Sequence, residues 1–285
     1  MTVHPGEPLD PALYREIVRR ALAEDIGWGD VTSERIVPGS AVAAARLTTR
    51  APAVVAGLAV ATEAFRQLDP SVSLVVGRGD GERCAAGETA AEWRGLAVPM
   101  FTARLTAFAF AARLSGIATL TRQFVDVCGP DVAVVDTRAT TPTLRALEKY
   151  AVRVGGGRNH RMTLDDGVLV SRDHARFAGS LASALLKVGE LAGDLPIDVE
   201  VGSLDEADEA MRAGATRLIA VGFDCTALSE AVRRSRGRAT LTVSGRLTLE
   251  QLVDVAAARP DGVAASALTQ AAPWAEFDLD IRPAT

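Results

Sequence analysis

Three arginines and a histidine crowd one short part of this sequence. Arg138 lies in "DTRATTPTLR" (136–145), and Arg158, His160 and Arg161 follow in "VGGGRNHR" (154–161). Guanidinium forks donate bidentately to carboxylate and phosphate and stay charged, so the grouping suits an anion grip. An ordinary surface ion-pair cluster has the same composition. Two features favour function: Arg138 follows the apolar run "DVAVV", and Gly155–Gly157 allow close backbone approach. Glu200 ends a second apolar run, "PIDVEV". There a carboxylate can hold a ribose hydroxyl or a metal ion, stabilise positive charge at a sugar carbon, or serve as a partnered structural group. His174 in "SRDHARF" reads as a cap or core histidine, and His4 as part of a disordered end.

The elements that must position these groups change character along the chain. Up to about residue 112, helices mix with short strands. "DPALYREIVRRALAEDIG" has helical apolar spacing, with Asp10 as N-cap, Pro11 at the first helical position and Gly27 past the end. "AAARLTTRAPAVVAG" and "SLVVGRGDGERCAAGETAAEWRG" alternate as strands do, and a long apolar helix follows from "VPMFTARL". From about residue 130, strand and helix alternate: "DVAVVDTR" leads to a helix from Pro142, and "PIDVEVGS", "TRLIAVGF", "ATLTVSG" and "DGVAASAL" continue the series. Such alternation implies parallel βαβ units. The units are too few for an eight-fold barrel, so an incomplete α/β barrel is expected, with "EFDLDIR" returning to the first domain. The boundaries read as 1–112 with 273–285, and 113–272.

In such a barrel the site lies where strands end. Those ends are Asp136-Thr137-Arg138, Glu200, Val221-Gly222, Ser244-Gly245 and Ser266. A phosphate cup is expected from "VSGRL" (Ser244, Gly245, Arg246) and "ASALT" (Ser266).

Composition narrows the partners. The 285 residues are 48% hydrophobic and 24% charged, with a formal net charge of −5, which argues against a nucleic-acid surface. No secretory signal and no uninterrupted membrane-length apolar stretch is legible, so a cytoplasmic protein without membrane partners is expected. Cys84, Cys128 and Cys225 are odd in number and far apart, which favours reduced core thiols, and no Cys/His spacing suggests zinc. Lys149 and Lys187 are the only lysines, so few groups can serve chemistry that needs an ammonium.

These residues resemble the quinolinate phosphoribosyltransferase family, also called carboxylating nicotinate-nucleotide pyrophosphorylase. "DTRATTPTLRALEKYAVRVGGGRNHR" (136–161) is the most specific likeness; "AEDIGWGDVTSERIVP", "RLSGIATLTRQFVD", "GVLVSRDHARFAGS", "IDVEVGSLDEADEAMRAGA", "VSGRLTLEQL" and "SALTQAAPWAEFDLDI" are similar to other blocks of the family, in its order. The resemblance implies an N-terminal α/β open-faced sandwich domain plus an incomplete (β/α) barrel. It implies a homodimer and a reaction joining quinolinate to phosphoribosyl pyrophosphate with Mg2+, releasing pyrophosphate and CO2. Carried over residue by residue, Arg138, His160 and Arg161 match its substrate cations, Glu200 its barrel carboxylate, and Ser244 and Gly245 part of its phosphate loop.

The departures cluster at the same places. Ala139 and Ser171 stand where the family has lysines, and Val221 and Gly222 where it has aspartate and asparagine. Thr242 and Arg246 replace a glutamate and a glycine, Ser266 a glycine and Gln270 a histidine. Leu105 falls on the arginine that the family contributes to its partner subunit, and Arg104 on the neighbouring glutamate. A shift of one residue on a helix turns a side chain by about 100°. Arg172 and Arg246 are new cations beside the gaps. Beside the family reaction, two readings therefore stand: a relative with another aromatic or heterocyclic acid as acceptor, and a non-catalytic dimeric binding protein.

Overall fold

The computed structural model describes residues 8–190 and 192–284, which form two compact units. His4 lies outside the described residues. One unit runs to Arg122 and takes in Thr141–Gly156 and the residues from Ala272; the other comprises Gln123–Thr140 and Gly157–Ala271. The residue 112 at which the sequence reading divides the chain lies inside one unbroken helix, Ala97–Cys128. A division within a continuous helix leaves no loop or linker to mark it.

In the first unit the chain opens with a short 3-10 turn, Pro11–Leu13, where Asp10 accepts the Ala12 N–H at 2.9 Å. The α-helix α1 begins only at Arg15 and runs to Ile26, so the single helix expected from Pro11 is two pieces, broken at Tyr14. Then come α2 (Ser33–Ile36), β1 (Val42–Thr49), β2 (Ala53–Val54), α3 (Leu58–Leu68), β3 (Ser73–Val76), β4 (Arg83–Cys84), β5 (Thr89–Leu96) and α4 (Ala97–Cys128). The C-terminal strand β12 (Phe277–Pro283) returns to pair antiparallel with β1, giving the sheet order β12-β1-β5-β3. Alternation explains its two faces. Ala45, Leu47, Ala91, Trp93 and Leu279 are buried, and Trp93 lies 5.3 Å from Phe65 of α3 between ring centroids. Arg46 and Glu92, paired across β1 and β5, form an ion pair on the opposite face. One face packs and one is wet: this is an open-faced sandwich.

Helix α5 (Arg145–Val154) also belongs to this unit. It starts at Arg145 rather than Pro142, because Pro142–Leu144 turn first, with Thr143 at φ 69.

The second unit is a six-stranded sheet in which every pairing is parallel, in the order β6-β11-β10-β9-β8-β7. Its strands are β6 (Ala133–Val135), β7 (Val168–Val170), β8 (Ile197–Val201), β9 (Arg217–Val221), β10 (Thr240–Gly245) and β11 (Gly262–Ala265). Between and after them run α6 (Arg172–Ala178), α7 (Leu181–Gly189), α8 (Leu204–Arg212), α9 (Cys225–Ser235), α10 (Leu249–Ala257) and α11 (Ala267–Gln270). Ser203, Asp224 and Thr248 cap the starts of α8, α9 and α10 through their side-chain oxygens. Strand β7 is absent from the sequence reading; three residues are too few to show a period.

The register separates two sets of side chains. Val201, Ala220, Val243, Val263 and Val134 form one buried row across five strands. The alternate row is Glu200, Ile219, Thr242, Gly262 and Ala133, and above it lie Val221, Ser244, Ala264 and Val135. The polar groups are thus confined to one sheet face and its C-terminal edge. Among the described residues no helix is long and apolar enough to cross a membrane. Cys84 and Cys128 are buried thiols, as expected of core cysteines, but Cys225 is exposed at the start of α9.

Candidate active site

The segment after α5 returns to the sheet and builds the cationic cluster. Arg158 pairs with Val135 as an added parallel bridge: its N–H donates to Val134 O at 2.7 Å, and the Asp136 N–H donates to Arg158 O at 3.0 Å. Residues 136–138 and 158–161 are therefore neighbours, although about twenty residues separate them in sequence. Asp136, 1% exposed, fixes the junction by accepting the Asn159 amide and, at 2.9 Å, the His160 N–H. The Arg158 side chain itself is exposed.

Arg161 donates to Gly167 O at 2.9 Å. Burial lowers its pKa, and the positive Arg138 adds to that; Asp198 and Glu200 work the other way. Arg138, Arg161, Asp198 and Glu200 thus share one electrostatic neighbourhood. His160 Nε2 lies 3.0 Å from Asp198 Oδ2. Sequence reasoning placed Asp136 at a strand end without giving it a partner, and passed over Asp198. Asp198 was findable, because it stands two residues before Glu200 on one strand and therefore on the same face.

Glu200 lines a cavity of about 460 Å3 with Ser171, Arg172, Arg176 and Glu206. Arg172 crosses this space to Glu206, 3.2 Å away, and its guanidinium lies over Gly202, where an added Cβ would come within 2.8 Å of it. Ser171 and His174 cap α6 reciprocally: the His174 N–H donates to Ser171 Oγ at 3.3 Å, and the Ser171 N–H to His174 Nδ1 at 3.1 Å. His174 is a cap residue, as its sequence context suggests.

Ser244 and Gly245 end β10, and Ser266 follows β11; because Gly245 pairs with Ala265, the two expected phosphate segments emerge side by side. Arg246 beside them is exposed. Thr269 on α11 donates to Ala139 O at 2.7 Å and so ties the Arg138 loop to that edge. Arg104 belongs to the other unit, where it and Leu105 are both exposed on α4.

At Gly155 the close backbone approach expected of the glycines is made to a helix. Gly155 packs against α4 of its own unit: a Cβ there would lie 2.4 Å from Ala118 O. Its missing side chain serves helix packing. No group of three or more His, Cys, Asp or Glu able to hold a metal occurs among the described residues.

Comparison with known proteins points to one family. Residues 30–115 match the family "Quinolinate phosphoribosyl transferase, N-terminal domain", and residues 117–280 match the C-terminal domain of the same family. A probable nicotinate-nucleotide pyrophosphorylase [carboxylating] of Synechocystis is 35% identical, over 91% of this chain and 90% of that protein. The Mycobacterium leprae nicotinate-nucleotide pyrophosphorylase [carboxylating] is also 35% identical, over 94% of this chain and 96% of its own length. The solved nicotinate-nucleotide pyrophosphorylase from Francisella tularensis superposes with a TM-score of 0.93 at 31% identity, covering 99% of this chain and all of that one.

Proposed function

Because the chain belongs to the quinolinate phosphoribosyltransferase family along both of its domains, we propose that it moves the phosphoribosyl group of phosphoribosyl pyrophosphate onto quinolinate. The bond from the anomeric carbon to pyrophosphate breaks and a bond to the pyridine nitrogen forms. Loss of one ring carboxylate as CO2, with a proton taking its place, gives nicotinate mononucleotide. The enzyme is a pentosyltransferase acting on small anionic molecules. The observation that supports this reading is that Arg138 and Glu200 both act on Arg161, while His160 is held on Asp198, two residues before Glu200 on the same strand.

In this reading Arg138 and Arg161 hold the acceptor's carboxylates, with His160 beside them. Arg161 keeps its charge despite its lowered pKa, since a guanidinium starts far above neutral pH. Glu200 faces the anomeric carbon and stabilises the positive charge that grows there as pyrophosphate departs. Ser244, Gly245 and Ser266 take the 5′-phosphate at the paired strand ends. Mg2+ would enter on the pyrophosphate, neutralising the leaving group. It commonly binds through one or two carboxylates plus substrate phosphates, so Glu200 alone is an adequate protein donor.

A homodimer is part of the proposal. Phe101, Leu105 and Phe108 follow helical spacing along α4, and Phe101 and Leu105 are exposed. An exposed apolar stripe of this kind suits a second copy of the chain.

The test is direct: purified protein with quinolinate, phosphoribosyl pyrophosphate and Mg2+ should yield nicotinate mononucleotide with one CO2 per turnover, and sedimentation should give twice the chain mass. Absence of turnover, together with no binding of either substrate at millimolar concentration, would overturn it.

A further inference from the structure

The sheet face that carries Glu200 carries a second carboxylate two residues earlier. Asp198 is 7% exposed, and both of its oxygens are engaged: Oδ2 faces His160 Nε2 at 3.0 Å, and Oδ1 accepts the Arg217 Nε–H at 2.8 Å. Arg217 comes from the start of β9; Val199 pairs with Leu218, so the preceding residues, Asp198 and Arg217, lie side by side. At about 3.3 Å per residue, Asp198 sits roughly 6–7 Å below Glu200 along β8. The main chain of His160 is held separately, by its N–H on Asp136 Oδ1. Two carboxylates, Asp136 just past β6 and Asp198 on β8, therefore fix one histidine, one by its backbone and one by its ring.

An ionised carboxylate only accepts hydrogen bonds, so the ring nitrogen facing it must carry a proton. The Arg217 guanidinium donates to Asp198 Oδ1 at 2.8 Å, a charge-assisted contact that suits the ionised, accepting carboxylate. We propose that Asp198 is a positioning residue that locks the His160 ring in its Nε2–H form, with Arg217 keeping Asp198 seated. His160 is thereby held in one fixed orientation. Groups behind metal-binding histidines set tautomer and ring angle in the same way. The geometry stands by itself; its consequence for turnover rests on the phosphoribosyl-transfer reading above.

The substitution that tests this is nearly isosteric. In Asp198→Asn, Arg217 still demands an acceptor and keeps Oδ1, so the amide turns its NH2 toward His160. Nε2 must then accept, and the ring shifts to the Nδ1–H tautomer. The chain has only three histidines, His4, His160 and His174. Nitrogen-15 spectra recorded with the rings neutral will separate them, and His160→Gln identifies the His160 signals. The expected result is an Nε2–H pattern in the wild type, Nδ1–H in Asp198→Asn, and the wild-type pattern again in Asp198→Glu. The kcat/KM of Asp198→Asn should fall about 10–100-fold, and adding it to His160→Gln should cost less than about threefold more. An unchanged tautomer in Asp198→Asn, or losses that multiply in the double variant, would overturn the proposal. The spectra need no turnover, so failure of the phosphoribosyl-transfer reading leaves this test decided on its own.

Discussion

Glu148, fully buried on α5, accepts both the backbone N–H of Thr141 at 2.9 Å and its hydroxyl at 2.8 Å. The Arg113 guanidinium completes the set at 2.8 Å. Thr141 closes the segment that begins with Asp136 and Arg138, so this carboxylate anchors one end of the cationic loop. Glu148→Ala removes the acceptor of one Arg113 N–H and of the Thr141 amide and hydroxyl, in a place water reaches poorly. Breaking such a buried pair costs about 3–5 kcal/mol. Urea unfolding should show a loss of that order; a loss below about 1 kcal/mol would contradict the anchoring role.

The contact between Gly155 and α4 makes a second prediction. An added methyl would press on Ala118 O at 2.4 Å and on Thr121 Cβ at 2.7 Å, and a backbone oxygen within a helix yields little. Gly155→Ala should destabilise by about 1–3 kcal/mol. Gly189, at the end of α7, meets nothing within 4 Å and serves as the control. Gly189→Ala should be neutral or stabilise by up to about 1 kcal/mol. Equal melting temperatures for the two variants would show that the close packing is not felt.

These two sites mark where reading the sequence stops short. The parallel strands β8 to β11 were legible because each is an apolar run bounded by turn residues and followed by an amphipathic helix. Arg138 and Glu200 were legible because a strand end is where such a fold exposes its chemistry. The partners were harder. Asp136 and His160 are twenty-four residues apart, and only the added bridge at Arg158 brings them together. The Gly155 contact was legible only as close backbone approach, because a glycine gives no sign of which neighbour approaches it. The delay of α5 to Arg145 came from Pro142 itself, which suits a turn as well as a helix start.

Asp198 sets a pH dependence with a definite sign. Its folded pKa is depressed, while an unfolded aspartate titrates near 3.9. The stability it contributes is therefore complete above about pH 5 and is lost as pH falls through the folded value. Asp198→Asn has no such titration. The gap in unfolding free energy between wild type and variant should close as pH falls below about 4. A gap that widens toward acid would require the opposite shift.

Glu200 and Arg138 should fail in different ways. Glu200 shares its row with Ile219, Thr242, Gly262 and Ala133, so no other carboxylate in that row can replace it. A carboxylate that stabilises charge appearing only in the transition state affects kcat and leaves substrate binding nearly alone. Glu200→Gln should therefore lower kcat about 10²–10³-fold with little change in KM. Arg138 grips an anion present before and during reaction, so Arg138→Ala should act mainly by raising the KM of quinolinate. Steady-state kinetics with each substrate varied in turn separates the two. If Glu200→Gln keeps more than about a tenth of the wild-type kcat, Glu200 is a partnered structural carboxylate, and the charge at the sugar carbon is met by another group.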